Sequence, residues 1–122
     1  MKKLFILVEV IVMCLVSNIC YAKNDVWVDT YYELEYYVDL DTLTGFKDDF
    51  GVFLDTKNTY NGEVGRMQMT FTKYDDLHVL AVIMYEDGTY GGCGYVIYDK
   101  PGPVTNTYFL CIKELDRHGG RM

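Results

Sequence analysis

Serine is almost absent: of 122 residues only Ser17 is a Ser. Beyond that position the chain therefore has no serine nucleophile, and the triad hydrolases are excluded. Histidine is nearly as scarce, with His78 and His118 alone and in none of the spacings that ligate a catalytic metal. No C-x-x-C occurs, which removes thioredoxin-type redox chemistry. Positive charge is also short, eleven Lys and Arg against eighteen Asp and Glu, for a net charge of −7. Nucleic acids and anionic membranes are bound through clustered Lys and Arg, so neither is an expected partner. With eleven Gly, two Pro and 50% hydrophobic residues the chain is neither collagenous nor disordered. No apolar run approaches the roughly 20 residues that span a bilayer. What is left has the length of one globular domain.

The first residues read as an address. Lys2 and Lys3 precede a 13-residue run, Leu4 to Val16, that is apolar except for Glu9, and Cys20-Tyr21-Ala22 ends it with small residues where a signal peptidase reads. This is the pattern of a secretory signal peptide over residues 1–22, with one exported domain, residues 23–122, behind it. Cleavage would leave no membrane span. Lys2, Lys3 and Glu9 would depart with the leader, so residues 23–122 hold nine basic against seventeen acidic residues, a net of −8.

Past the leader, short β-branched and aromatic runs alternate with turn residues at the spacing of an antiparallel sheet. Strands are predicted over 26–32, 34–40, 51–55, 65–74, 79–85 and 95–98, with a loop over 41–49 and an Asn-Gly turn at Asn61-Gly62. Residues 65–74 alternate most cleanly, Met67, Met69 and Phe71 on one side and Arg66, Gln68, Thr70 and Thr72 on the other. Residues 79–85 are apolar throughout, as in a strand covered on both faces. After Pro101-Gly102-Pro103, Tyr108, Cys111, Ile112 and Leu115 recur at helical spacing. Thr105 or Asn106 could cap such a helix and Gly119 could end it, leaving a loose tail. The apolar run from Thr107 to Ile112 also fits a seventh strand, but the good helix formers of 113–118 favour the helix. The expected fold is α+β: one antiparallel sheet of about six strands with a C-terminal helix packed on it.

Chemistry is thin on this chain. Cys93 and Cys111 are the only cysteines after residue 22, and an even pair in an exported protein is most simply a disulfide. Such a bond would be worth about 3 kcal/mol by the chain-entropy model. It would also consume Cys93 as a thiol nucleophile for His78. Asp39/Asp41, Asp48/Asp49 and Asp75/Asp76 read as solvated turn carboxylates, since Leu43 and Gly45 break the calcium-loop pattern. The glycine-rich stretch 91–94 lacks the residues of a phosphate-binding loop. No metal or other cofactor is expected. Eleven Tyr remain after the leader, and Tyr31, Tyr32, Tyr36 and Tyr37 are the candidate recognition surface, because adjacent strand residues face opposite ways and one of each pair points out.

Trp27-Val28, then Tyr36-Tyr37-Val38-Asp39-Leu40-Asp41-Thr42-Leu43, the valine-aromatic strand Val52-Phe53-Leu54 and the later Tyr74-Asp75 resemble the surface-adhesin protein E family of small exported bacterial domains. The resemblance covers roughly residues 26–86 and leaves the C-terminal third, with Cys93 and Cys111, unmatched. It implies a compact antiparallel sheet with a helix against it, and a role in binding host matrix and plasma proteins. The expected function is thus that of a non-enzymatic exported recognition domain with a protein partner. A net charge of −8 on a small domain supports a second reading, an inhibitor of a basic secreted enzyme such as a lysozyme.

Overall fold

The computed structural model describes residues 25–122. The leader expected over 1–22 lies outside them. The described chain forms β1 (Asp25–Tyr31), β2 (Leu34–Phe46), β3 (Asp49–Asn58), β4 (Val64–Asp75), β5 (His78–Tyr85), β6 (Tyr90–Tyr95) and a single helix, α1 (Pro103–Arg117). The six strands lie in chain order in one sheet, each antiparallel to the next. This is the α+β architecture the sequence predicts. Among the described residues no helix is long and apolar enough to cross a membrane.

Alternation decides which face meets the helix. Val38 on β2, Val52 and Leu54 on β3, Met69 and Phe71 on β4 and Val79 and Ala81 on β5 are buried together with Tyr108, Cys111 and Leu115 of α1. Tyr108 lies against both Phe50 and Phe71, with ring centroids 6.0 and 5.5 Å away. Packed aromatic rings of this kind anchor a helix on a sheet. Asn106 Nδ2 donates to the Val28 carbonyl at 2.8 Å, so the helix is tied back to the first strand. The opposite face of the sheet has no element on it among the described residues.

Four local expectations change. Residues 41–49 are not a loop, because β2 continues to Phe46 and pairs with Asp49, leaving Lys47 and Asp48 as the turn. The polar run is accommodated by a bulge between Asp39 and Thr44, where the Thr42 hydroxyl accepts from the Phe53 N–H and keeps the ladder satisfied. The sixth strand lies on the glycine-rich stretch, Tyr90–Tyr95, not on 95–98. The helix begins two residues before Thr105: Gly102 is its N-cap and Pro103 its first residue, where a missing N–H has no consequence. Thr105 and Asn106, released from capping, hydrogen-bond the Ile97 and Val28 carbonyls. Finally the tail is fixed. Gly45 and Met122 exchange two backbone hydrogen bonds of 2.9 Å, and the Lys47 N–H donates to the Gly120 carbonyl.

The expected disulfide does not form. Cys111 is fully buried on the covered face, whereas Cys93 is exposed and pairs with Val82, whose side chain shares the uncovered face. Strand parity therefore sets the sheet itself between the two thiols. Burial, with Glu114 nearby, pushes the Cys111 thiol up to about 12. Residues 23–122, which hold Cys93 and Cys111 alone, are expected when folded to take up one equivalent of an aromatic disulfide reagent at neutral pH, through Cys93, and a second only on unfolding. Two equivalents in the native state, or none, would contradict this placement.

Candidate functional site

The uncovered face is built from the other half of each strand's alternation. Asp25 and Trp27 of β1 lie opposite Asp39 and Tyr37 of β2, and Phe53 and Asp55 of β3 continue the row to Gln68 and Arg66 of β4. Four strands thus bring three carboxylates and one guanidinium together. Arg66 donates to Asp55 at 2.7 Å and to Asp39 at 3.0 Å, and its guanidinium carbon lies 5.0 Å from the centre of the Phe53 ring. Asp39 is only 6% exposed, so this carboxylate is not the solvated turn residue its sequence position suggests.

Asp25 completes the cluster. Oxygens of Asp25, Asp39 and Asp55 all lie within 4.8 Å of one another, and Asp25 Oδ1 is buried without a hydrogen-bond partner. Burial first, then the charges of Asp55 and Asp39, raises the Asp25 carboxyl from 3.8 to about 6. Three carboxylates are a donor set for a hard cation. In this arrangement, however, Arg66 already takes an oxygen from two of them, and a proton on Asp25 relieves the remaining repulsion near its pKa and below.

The raised carboxyl has a defined consequence for stability. Folding makes Asp25 hold its proton more tightly, so its contribution is fully present below about 3.8 and is lost as pH rises through about 6. A two-unit shift corresponds to roughly 3 kcal/mol, which partial exposure reduces to about 1–2 kcal/mol. Asp25→Asn is expected to match the parent near pH 3 and exceed it by that amount at pH 7.5 in urea denaturation. Equal stability of the two proteins at both pH values would remove the cluster as its cause.

Aromatic groups border the acidic cluster. Trp27 is 56% exposed, and its Nε1 donates to Thr30 at 3.0 Å. Tyr37 donates its hydroxyl proton to Glu35. Further along the same face, Leu80, Val82 and Met84 of β5 are half-buried with no element over them, so the all-apolar strand is covered on one side only. Tyr90, Cys93 and Tyr95 of β6 adjoin them, Tyr95 with its ring 5.6 Å from His78. His78 itself is held by Asp75 at 2.8 Å and His118 lies 3.3 Å from Glu114.

The four tyrosines singled out by the sequence do not form one surface. Tyr31 and Tyr32 meet edge to face, 4.5 Å apart, at the β1–β2 turn, where Tyr32 has a positive φ of 55°. Tyr36 packs against the core on the covered side, and Tyr37 lies on the uncovered one. The acidic cluster escaped the sequence reading because Asp25, Asp39 and Asp55 follow one another at intervals of 14 and 16 residues and meet only through strand register. Arg66 on the wet side of the best-alternating strand was the one available signal.

No protein-family model, curated protein or solved structure matches this chain.

Proposed function

We propose that this chain is an exported recognition domain without enzymatic activity, binding a protein partner through the uncovered face of its sheet in the manner of an adhesin. The observation that carries this reading is an aromatic border, exposed Trp27 with half-buried Tyr37 and Phe53, around an organised acidic cluster on a face with no covering element among the described residues. Rigid aromatic groups beside fixed charges supply contact area at low entropic cost. The reactive side chains are engaged locally: His78 is held by Asp75, and Cys93 lies beside Tyr90 and raises the pKa of its hydroxyl. The test is saturable binding of residues 23–122 to immobilised extracellular-matrix and plasma proteins. Binding that is lost in Trp27→Ala at unchanged thermal stability would bear the proposal out. Absence of any saturable partner would overturn it.

A second reading rests on where the charge sits. Residues 25–58, which form β1 to β3, hold nine Asp and Glu against two Lys, while residues 59–122 hold eight against six Lys and Arg. Such one-sided charge steers a basic protein toward the first three strands. An acidic inhibitor of a basic secreted enzyme such as a lysozyme would use that half. Inhibition that weakens with added salt is the expected result, and no inhibition at low ionic strength would remove this reading.

A further inference from the structure

A second feature lies on the other side of the sheet, between β6 and the segment leading into α1. It is a cleft of about 460 Å3, within the range of sites that hold small ligands or peptide side chains. Ala81 and Ile83 line it from the sheet, Ile97, Pro101 and Val104 from the connecting segment and the helix, and Tyr31 from the β1–β2 turn. It shares no residue with the acidic cluster.

Three glycines also line the cleft: Gly92, Gly94 and Gly102. Gly92 has a φ of 130°, which accounts for it. Gly102 caps α1, where glycine is a favoured residue, but nothing in the fold requires Gly94. Neither has a positive φ in the glycine region, Gly102 being extended at 173°, and a Cβ at either would meet no atom within 4 Å. Bare glycine in a strand without torsional or steric cause marks a place where another backbone comes close.

The strand beside the cleft can accept such a backbone. β6 ends the sheet, and the Val96 N–H donates to Val79 O. By the alternation of an antiparallel ladder, the N–H and C=O groups of Cys93 and Tyr95 point away from β5, toward a free edge. The residue of an added strand opposite Gly94 turns its side chain to the cleft side. Lys100 also lines the cleft, and it makes no ion pair among the described residues despite the chain's excess of carboxylates. The first turn of α1 adjoins it, with no side-chain cap and no acidic residue. An apolar cleft with an unpaired ammonium and free helix N–H groups is complementary to an apolar residue that carries an anion.

We propose that β6 and this cleft bind an extended peptide, which adds a strand to the β6 edge, buries an apolar side chain against Ile83 and Val104, and sets its free C-terminal carboxylate against Lys100. The site shares no residue with the acidic cluster or with Trp27, Tyr37 and Phe53, and meets the uncovered face only at Cys93 and Tyr95. Trp27→Ala leaves it intact, so failure of one site is distinguishable from failure of the other.

The experiment presents residues 23–122 with a positional library of hexapeptides ending in valine, leucine or phenylalanine, as free acids and as C-terminal amides, with decanoate as a separate probe. Free acids are expected to be retained, and amidation weakens the selected peptide about tenfold by removing a charge-assisted contact. Lys100→Ala weakens the free acid about as much and makes acid and amide equivalent. Gly94→Val, at unchanged thermal stability, abolishes retention of both by filling the cleft floor that the peptide's apolar side chain would occupy. Retention of no peptide, equal retention of acids and amides by the parent, or binding of decanoate without any peptide would each overturn the proposal.

Discussion

Replacing Arg66 by leucine is expected to lower stability by about 2 kcal/mol at neutral pH. Its pairs are only partly buried and fall between a surface pair, worth up to about 1 kcal/mol, and a buried one, whose broken partner costs about 3–5 kcal/mol. The loss comes from what remains. Asp39 stays 6% exposed, with Asp25 and Asp55 oxygens within 4.8 Å of it and no cation between them. The leucine still packs on Phe53, so apolar burial changes little. Adding Asp39→Asn to Arg66→Leu should recover most of the loss, because an amide carries no charge to strand. Urea denaturation of the single and double variants measures both effects. A loss below about 1 kcal/mol for Arg66→Leu would assign the cluster the value of an ordinary surface pair.

Gly45→Ala is the second large effect, expected at roughly 2–4 kcal/mol. Gly45 has a φ of 123°, a conformation L residues rarely adopt. A Cβ there would overlap the Asp49 carbonyl oxygen and lie 2.8 Å from the Phe50 Cα, both backbone atoms of the paired strand. Relief would require the β2–β3 turn to open, and Gly45 also holds Met122 through two hydrogen bonds. The loss should therefore come with faster amide exchange at Met122 and at Lys47, whose N–H is bonded to Gly120. Gly62, in open space with a φ of 72°, is the control, and its alanine variant should lose about 1 kcal/mol. Similar losses at the two positions would show that the overlap at Gly45 is relieved without opening the turn.

Both effects bear on what the sequence could disclose. The strands with strict alternation were legible, above all β4, because a period of two with Met67, Met69 and Phe71 inside leaves no competing register. The helix was legible from Tyr108, Cys111 and Leu115. What failed needed knowledge of partners. A polar run such as 41–49 reads as loop until the bulge near Thr42 supplies its hydrogen bonds. The pairing of Cys93 with Cys111 was inferred from an even count, but parity on β6 depends on the bulge at Ile83 and Met84, which shifts the register of the glycine-rich strand. The acidic cluster depends on register across three ladders, which no local pattern carries.

The strand order carries a kinetic consequence. Because every strand pairs with its chain neighbour, each ladder can close by a hairpin, and contacts of long sequence separation are few for a sheet of six strands. Folding speed falls with that separation, so this meander belongs at the quick end of β-rich domains. The slow event is the return of the C-terminal helix to the first strand, across the 78 residues between Asn106 and Val28. Until that docking occurs, the apolar row from Val38 to Ala81 lies open to water. The interval between sheet formation and helix arrival is therefore when the chain is most prone to aggregate.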